Sequence, residues 1–452
     1  MDTSLDTGPF QGDLVRPGDP GYEQARKVWN LAVDRHPAGV ARCHTTEDVV
    51  AALDLARRAN LAVSVRGGGH SFPGFSTTDG GLVLDLSPMH RILVDAADRI
   101  ATVQPGVRWG QLTDATAAHG LVGVGGHVAD VGVIGLLLGG GNGWLVRSFG
   151  LACDNLVSAE VVTADGQVVT ANADENPDLF WGLRGGGGNF GIVTQATLRL
   201  HPLTDLLGGM LLYRLEDAAE VLRFIATFDA PTDLNVAPAI LAAPEAPFVP
   251  VDLHGKPVLA VAVCYVGAIA DGEQALVPLR ALMTPVADLV QPTSFRDLQH
   301  FFDPQGESTP YHMRSHIGGP ITDDLIAAML DFGGRFTSPG NITLLLPMGG
   351  AAAAVPPDAT AFRHRDGSYV MEIAAAWQPD DPAPDTHRSW ADGLWAAARP
   401  WATGVEVNHL ADEGLDRVRA AYGDNFPRLA ELKRTWDPQN VFHLNQNIPP
   451  AG

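Results

Sequence analysis

The chain has 452 residues, 46% of them hydrophobic, and its 30 Lys and Arg stand against 52 Asp and Glu, a formal charge of -22 at pH 7. That length predicts roughly two or three domains with ample core, and the composition excludes general disorder. The acidic balance argues against nucleic acid or an anionic membrane as partner, because a phosphate backbone needs a basic footprint.

In chain order, residues 22–35 carry helical spacing (Ala25, Val28, Trp29, Ala32) and Pro37 stops it. Thr45, Thr46, Glu47 and Asp48 predict the capped start of a helix reaching about residue 60, with Val49, Val50, Leu53 and Leu55 as its apolar positions. A β-rich run, 61–65, then ends in Arg66, Gly67, Gly68 and Gly69, followed by His70 and Ser71. Glycines there allow positive φ and a nest of N–H groups suited to a phosphate. An ordinary phosphate loop lacks the nucleophilic imidazole that directly follows. Residues 81–86 form a short apolar strand, 91–94 and 100–104 a strand pair, and 109–119 a helix. This order of short strands and glycine loops predicts an α+β fold. Neither Gly139 to Gly143 nor Gly185 to Gly188 opens a βαβ unit with an acidic residue about 20 positions on, so neither reads as a dinucleotide fingerprint.

Residues 123–150 are the second glycine-dense region, with Gly125, Gly126, Gly132, Gly135, Gly139, Gly140, Gly141 and Gly143 interrupted by His127 and Asp130. This is main chain expected to lie against something flat and large. Strands 157–163 and 168–170 are joined by a hairpin signal at 164–166. Asn176 starts a short helix and 191–200 alternates as a strand. Further on, 208–214, 257–266 and 341–346 read as strands, while 218–226, 275–283 and 323–332 read as helices. In 369–374 the period of two sets Tyr369, Met371 and Ile373 on one face and Glu372 on the other, with nothing to say which face meets a ligand. Residues 311–316 are expected to be mostly surface.

The three cysteines, Cys43, Cys153 and Cys264, are too far apart for a disulfide framework or a zinc pattern, so no metal is expected. The first 15 residues lack a basic region followed by an apolar one, and no run of about 18 apolar residues follows. A cytoplasmic, reducing compartment is the expectation; the oligomeric state is left open.

The segment from Arg66 to Ser71, the stretch from Gly125 to Gly143, the run 174–181 (Asp-Glu-Asn-Pro-Asp-Leu-Phe-Trp), the run 185–191 and a closing segment with Trp436, Asp437, Pro438, Asn445, Gln446 and Asn447 share one resemblance. Together they resemble the berberine bridge enzyme-like flavoprotein oxidases of the vanillyl-alcohol oxidase and p-cresol methylhydroxylase superfamily, over nearly the whole chain. The resemblance implies a two-domain fold of the p-cresol methylhydroxylase type. Residues 1–205, completed by 412–452, would bind FAD, and 206–411 would form a substrate-binding domain of antiparallel sheet and helices. It implies an 8α-histidyl bond at His70, with Arg66, Gly67, Gly68, Gly69 and Ser71 around the pyrophosphate. The remaining cofactor contacts would be Gly125, Gly126, Asp130, Val131, Gly132, Gly135, Gly139, Gly140, Gly141, Gly143, Gly191, Ile192, Val193, Asn445 and Asn447. Many relatives add a second link through a cysteine two residues after the equivalent of Gly126. Val128 stands there, so a single link is expected. Val131 occupies the place where relatives gate oxygen, and a valine is the oxidase type.

The base region departs from the family. Relatives often carry Tyr-x-Asn-Tyr where this chain has Glu406, Val407, Asn408 and His409, and Phe149 replaces a further tyrosine. No glutamate in 355–359 matches the base of some plant relatives. His409, with an ordinary pKa near 6.5, is the candidate base as a neutral imidazole, with Asp130 the second candidate. Glu406, three residues away, would point to the opposite face of a regular strand, so a direct pair needs a bulge or a turn. The resemblance implies an FAD-linked oxidase that takes a hydride from an alcohol, amine or activated C–H of a small molecule and passes electrons to O2 to give H2O2. The altered base region favours a secondary metabolite over a carbohydrate. A dehydrogenase or oxygenase on the same fold and a catalytically silent flavin-binding protein are the alternatives.

Overall fold

The computed structural model describes residues 7–203, 205–301, 303, 308–366 and 369–452; the first six residues of the N-terminal reading lie outside that range. Among the described residues, three sheets carry the architecture. The first has four strands in the order Asp13–Val15, Gly39–Arg42, Leu82–Asp85 and Val63–Arg66, the last three mutually parallel. Parallel neighbours need a crossover, and the helix Thr46–Arg58 supplies it. Thr45 caps that helix, its side chain accepting from the Asp48 N–H while Asp48 reaches back to the Thr45 N–H. The buried face of the helix (Val49, Ala52, Leu53, Ala56) then presses on Leu82 and Leu84. The strand Val63–Arg66 is thereby fixed, and the loop that follows it starts from a rigid base.

The second sheet is antiparallel, in the order Ile92–Asp95, Ile100–Val103, Ile192–Pro202, Leu156–Val162 and Val168–Ala171, with Leu121–Gly123 paired to the far end of Ile192–Pro202. The helices Leu415–Tyr422 and Phe426–Trp436 return to it. Val418, Ala421, Leu429 and Leu432 share one core with Leu137, Leu179, Trp181 and Val193. Lys433, fully buried, donates to the carbonyls of Asn189 (2.8 Å) and Phe442 (2.9 Å) and to Asp437 Oδ2 (2.6 Å). All three ammonium protons are accounted for.

The third sheet has nine strands, all antiparallel, between Leu206 and Gly404. Strand Tyr369–Ala376 lies between Ile342–Pro347 and Tyr311–Gly318. Its two faces go to different cores, as a period of two requires. Met371 and Ile373 meet the helices through Val221, Leu279, Met329 and Leu394. Val370 faces the other way, into a core shared with Val124, Trp144 and Leu145 of the glycine-dense region. Glu372 is in phase with Val370. That resolves the question the alternation left open: the carboxylate looks toward the glycine-rich chain.

Two expectations fail here. The helix expected over 22–35 is only Tyr22–Ala25, and Trp29 and Asn30 lie in a loop held by tertiary hydrogen bonds. The Trp29 N–H donates to the Gly69 carbonyl (3.2 Å). Asn30 Nδ2 reaches the carbonyls of Phe72 (2.8 Å) and Tyr311 (3.1 Å), while its Oδ1 accepts from the Tyr311 N–H (2.9 Å). These partners outweigh a local helical preference. Residues 311–316 are not surface either: they form the strand Tyr311–Gly318, with Met313, Ser315 and His316 buried. Among the described residues no helix is long and apolar enough to cross a membrane.

Candidate functional site

Gly67, Gly68 and Gly69 leave the end of the four-stranded sheet and run against the second glycine segment. A Cβ on Gly68 would lie 2.6 Å from the Gly132 nitrogen, so the two loops touch main chain to main chain. Gly69 has φ 74, the left-handed region that glycine enters freely. Arg66 differs from its expected part in the cradle: its guanidinium is buried against Asp85 (Nε to Oδ1 3.2 Å, Nη2 to Oδ2 2.9 Å) and the Lys27 carbonyl. Its carbonyl in turn accepts from the Leu86 N–H (2.8 Å), so Arg66 braces the start of the loop and does not itself face a ligand. Ser71 is likewise turned inward, its Oγ accepting from the Phe75 N–H.

His70 is held on two sides. Its ring stacks on Trp29, centroids 4.7 Å apart, and Trp29 stacks in turn on Tyr311 at 4.5 Å. His70 Nε2 lies 3.1 Å from Asp130 Oδ2, and Asp130 also pairs with Arg108. Burial works against ionising Asp130, but the His70 and Arg108 contacts outweigh it and hold its carboxyl below the usual range. An ionised carboxylate only accepts, so Nε2 carries the proton shared between the two side chains. Asp130 is thus brought to His70 and not to His409, which separates the two candidate bases expected from the sequence.

The second wall is the stretch from Gly125 to Gly143. A Cβ on Gly143 would fall 1.7 Å from the Gly125 carbonyl oxygen, and one on Gly139 2.1 Å from Asn408 Oδ1. No larger residue fits either contact. Gly126 accepts from Gln299, and Gly140 and Gly141 turn the chain with positive φ. Val131 is half-buried against the central core. Gly135 and Gly188, by contrast, have no heavy atom within 4 Å of where a Cβ would stand. Several polar side-chain atoms in these segments are buried without a hydrogen-bond partner in the chain: both ends of the Asn142 amide, Asn445 Oδ1 and Asn447 Oδ1. A broad heterocycle with donors and acceptors along its edge, and a phosphate group at the nest, fit that combination of bare main chain and unsatisfied amides. Ile192 and Val193 differ from the expected cofactor contacts, since their side chains are buried in two protein cores; Gly191 packs tightly on Val161. Any contact from these residues comes from main chain.

The third component is the acid–base cluster. Strand Ala402–Gly404 gives way to a single 3-10 turn, Val407–His409, with Glu406 at its start. That turn is the device a regular strand would have lacked. It carries Glu406 round to His409, with Nδ1 3.3 Å from Oε2, an ion-pair distance not aligned as a hydrogen bond. On the other side Nε2 lies 2.9 Å from Glu372 Oε1. Glu406 is 0% exposed and sits behind, whereas the side chains of His409 and Glu372 retain 13% and 16% exposure and can meet a ligand. Phe72, two residues after His70, brings its ring to 6.2 Å from that of His409. The cluster and the anchor therefore share one site.

Burial opposes charge on His409 most strongly, but the carboxylates of Glu372 and then Glu406 overcome it and raise its pKa well above 6.5. His409 is an imidazolium at neutral pH, not the neutral imidazole expected from its ordinary value. Burial alone would raise Glu372, and the His409 charge outweighs that to hold its carboxyl below 4.5. The neighbouring His127 is pushed down to about 4 by burial and is neutral. Sequence reasoning missed Glu372 as a site residue, although a lone carboxylate in an otherwise apolar alternating strand was the available signal. It also missed Trp29 and Asn30, for which no local pattern exists.

Residues 37–172 match the family model described as FAD binding domain, and residues 406–449 the one described as berberine and berberine like. Across curated proteins the chain is 32% identical over 461 residues to (R)-6-hydroxynicotine oxidase of Paenarthrobacter nicotinovorans, covering 98% of each. It is 32% identical over 447 residues, 97% of each, to an FAD-linked oxidoreductase of Bacillus subtilis. Among solved structures, 6-hydroxy-D-nicotine oxidase from Arthrobacter nicotinovorans superimposes with a TM-score of 0.88 at 28% identity over 100% of both chains. A berberine bridge enzyme-like protein of Physcomitrella patens gives 0.88 at 26% identity, again over 100% of both chains.

Proposed function

We propose that this chain, which belongs to the berberine bridge enzyme-like FAD-linked oxidoreductases, is an oxidase whose FAD is bonded once, through His70, and whose acid–base unit is the Glu372–His409 pair backed by Glu406. The observation that carries the reading is that pair, 2.9 Å apart, largely buried and set beside the loop of His70. When bound, FAD supplies the acceptor for a hydride from a carbon bearing OH or NH, or from an activated C–H, and returns the two electrons to O2.

The chain's own residues do the rest. Gly67 to Gly69 and Gly132 would offer main-chain N–H groups to the pyrophosphate, and Asn142, Asn445 and Asn447 their unpartnered amide atoms. Asp130 and Trp29 fix the His70 ring. Cys153, the nearest cysteine to the usual second anchor, is fully buried and its thiol is held protonated, which supports a single link. Because His409 is already charged, the group that accepts the substrate proton is the Glu372 carboxylate. His409 donates to it and shares the incoming proton. The balance is simple: substrate loses two electrons and two protons, and O2 gains both to become H2O2.

Two sources of substrate stand behind this reading, a secondary metabolite or a carbohydrate, as the sequence left them. The test is to reduce the purified yellow protein anaerobically and admit air. Rapid return of the oxidised spectrum with stoichiometric peroxide is the expected result. Slow return without peroxide would make the protein a dehydrogenase.

A further inference from the structure

We infer that Gln299 and Asp303 are positioning residues for the flavin anchor. They grip the main chain of the glycine-dense wall at Gly126 and Ala129, from 173 and 174 residues further along the chain, and so hold Asp130 against His70. This rests on the reading of His70 as the point of attachment. It makes that attachment depend on a helix of the third sheet.

The helix Phe295–Phe301 follows the short strand Gln291–Thr293 of that sheet. Phe295 and Leu298 dock it in the core that also holds Val122 and Val124. On its outer side Arg296 pairs with Asp114 of the helix Trp109–Ala117 at 2.6 Å, both side chains about half exposed. Gln299 is 0% exposed and uses both ends of its amide. Oε1 accepts from Thr113 Oγ1 (2.9 Å), and Nε2 donates to the Gly126 carbonyl (3.4 Å). A carbonyl only accepts, which fixes the way the amide points and makes the Thr113 hydroxyl a donor. A buried amide costs free energy unless its ends are met, so these two partners account for a polar side chain in this place.

The second grip lies just past the helix. Asp303 Oδ1 accepts from the Ala129 N–H (2.8 Å), and His300 Nδ1 steadies the other oxygen at 2.8 Å. The Ala129 carbonyl accepts from the Gly110 N–H, also at 2.8 Å, so residue 129 is tied on both sides. The next residue is Asp130, whose Oδ2 lies 3.1 Å from His70 Nε2. Its side chain is 54% exposed. Packing therefore does not keep the carboxylate on His70; its aim comes from the main chain beneath it and from Arg108. Attachment joins an imidazole nitrogen to the methyl carbon at position 8 of the flavin. One hydrogen leaves that methyl and one the imidazole, and both protons and the electron pair end on O2 as H2O2. A steady ring at His70 is what the clamp contributes to that step.

The measurement follows the full-length chain through a time course of expression and reads flavin fluorescence of the denatured polypeptide on a gel against total chain. Thermal unfolding of the purified flavin-loaded protein is recorded in parallel. Gln299→Met and Asp303→Ala should each slow the rise of bound flavin about 2- to 10-fold, the factor that one net hydrogen bond is worth. Asp303→Asn keeps an oxygen for the Ala129 N–H and should restore most of the rate. Arg296→Ala breaks the exposed ion pair that docks the same helix and should attach flavin at the wild-type rate, whatever it does to unfolding. Should Gln299→Met fail to fold, Thr113→Val, which removes the hydroxyl holding the amide, takes its place. A wild-type rate in either clamp variant, no rescue by Asp303→Asn, or equal slowing by Arg296→Ala would overturn the clamp and leave the attachment at His70 standing. A wild type without denaturation-stable flavin at any time would overturn the reading beneath it instead.

Discussion

Protonation of His409 ties the stability of the molecule to pH in two opposite ways. Its folded-state pKa lies above the ordinary 6.5, so its contribution is complete below that value and is lost as pH rises through the folded-state pKa. Glu372 is depressed below its ordinary 4.5, so its contribution is present above that value and is lost as pH falls through the folded-state pKa. Between 4.5 and 6.5 both are intact. His409→Gln leaves two carboxylates without their cation and should cost about 3–5 kcal/mol at pH 7 by urea unfolding. Unpaired, those carboxylates acquire raised folded-state pKa values, and the variant should regain stability on acidification. A cost that is the same at pH 5 and pH 7 would contradict this. At the anchor, Asp130→Ala removes the acceptor that orients His70 and should lower the fraction of acid-stable flavin several-fold without a matching loss of thermal stability. An unchanged fraction would show that Asp130 has no part in attachment. Of these residues, His70, Glu406 and His409 were legible in the sequence because each stands beside a distinctive motif. Glu372 was not, since alternation separates two faces of a strand without saying what covers either.

At the scale of elements, the loop after the helix Tyr22–Ala25 joins three parts of the site by hydrogen bonds from one side chain. Asn30 serves Phe72, Tyr311 and the Ala32 N–H, and 3% of it is exposed. Asn30→Ala strands buried carbonyl and N–H groups and should destabilise the protein by about 1–3 kcal/mol, with flavin fluorescence rising as the His70 loop loosens. Wild-type stability in that variant would show the clasp to be idle. The helix Thr46–Arg58 and the hairpin at 164–166 were readable from the sequence because local chemistry decides them: a capping box in one, a glycine turn in the other. The loop at Trp29 was not readable, because its hydrogen-bond partners lie at Gly69, Phe72 and Tyr311. The 3-10 turn at His409 belongs with it: the sequence showed only that a direct Glu406–His409 contact needs a bulge or a turn, and the fold supplies the turn.

At the scale of the whole molecule, the C-terminal segment is tied to the loop at Asn189 by a buried cation. Lys433 ties the helix Phe426–Trp436 to Asn189 in one direction and Phe442 in the other, and Asp437 also accepts from the N–H groups of Val441 and Phe442. Burial lowers the Lys433 pKa, and the Asp437 pairing resists it. Lys433→Met should cost about 3–5 kcal/mol because it leaves Asp437 buried and unpaired, whereas Lys433→Met with Asp437→Leu should recover part of that loss. Equal costs for the single and double variants would contradict the pairing. The central claim for the molecule is that FAD is bonded to the chain at His70, and acid denaturation tests it most directly. Flavin fluorescence should stay with the precipitated polypeptide in the wild type and wash away from His70→Ala; yellow supernatant from the wild type, or retained flavin in His70→Ala, would contradict it.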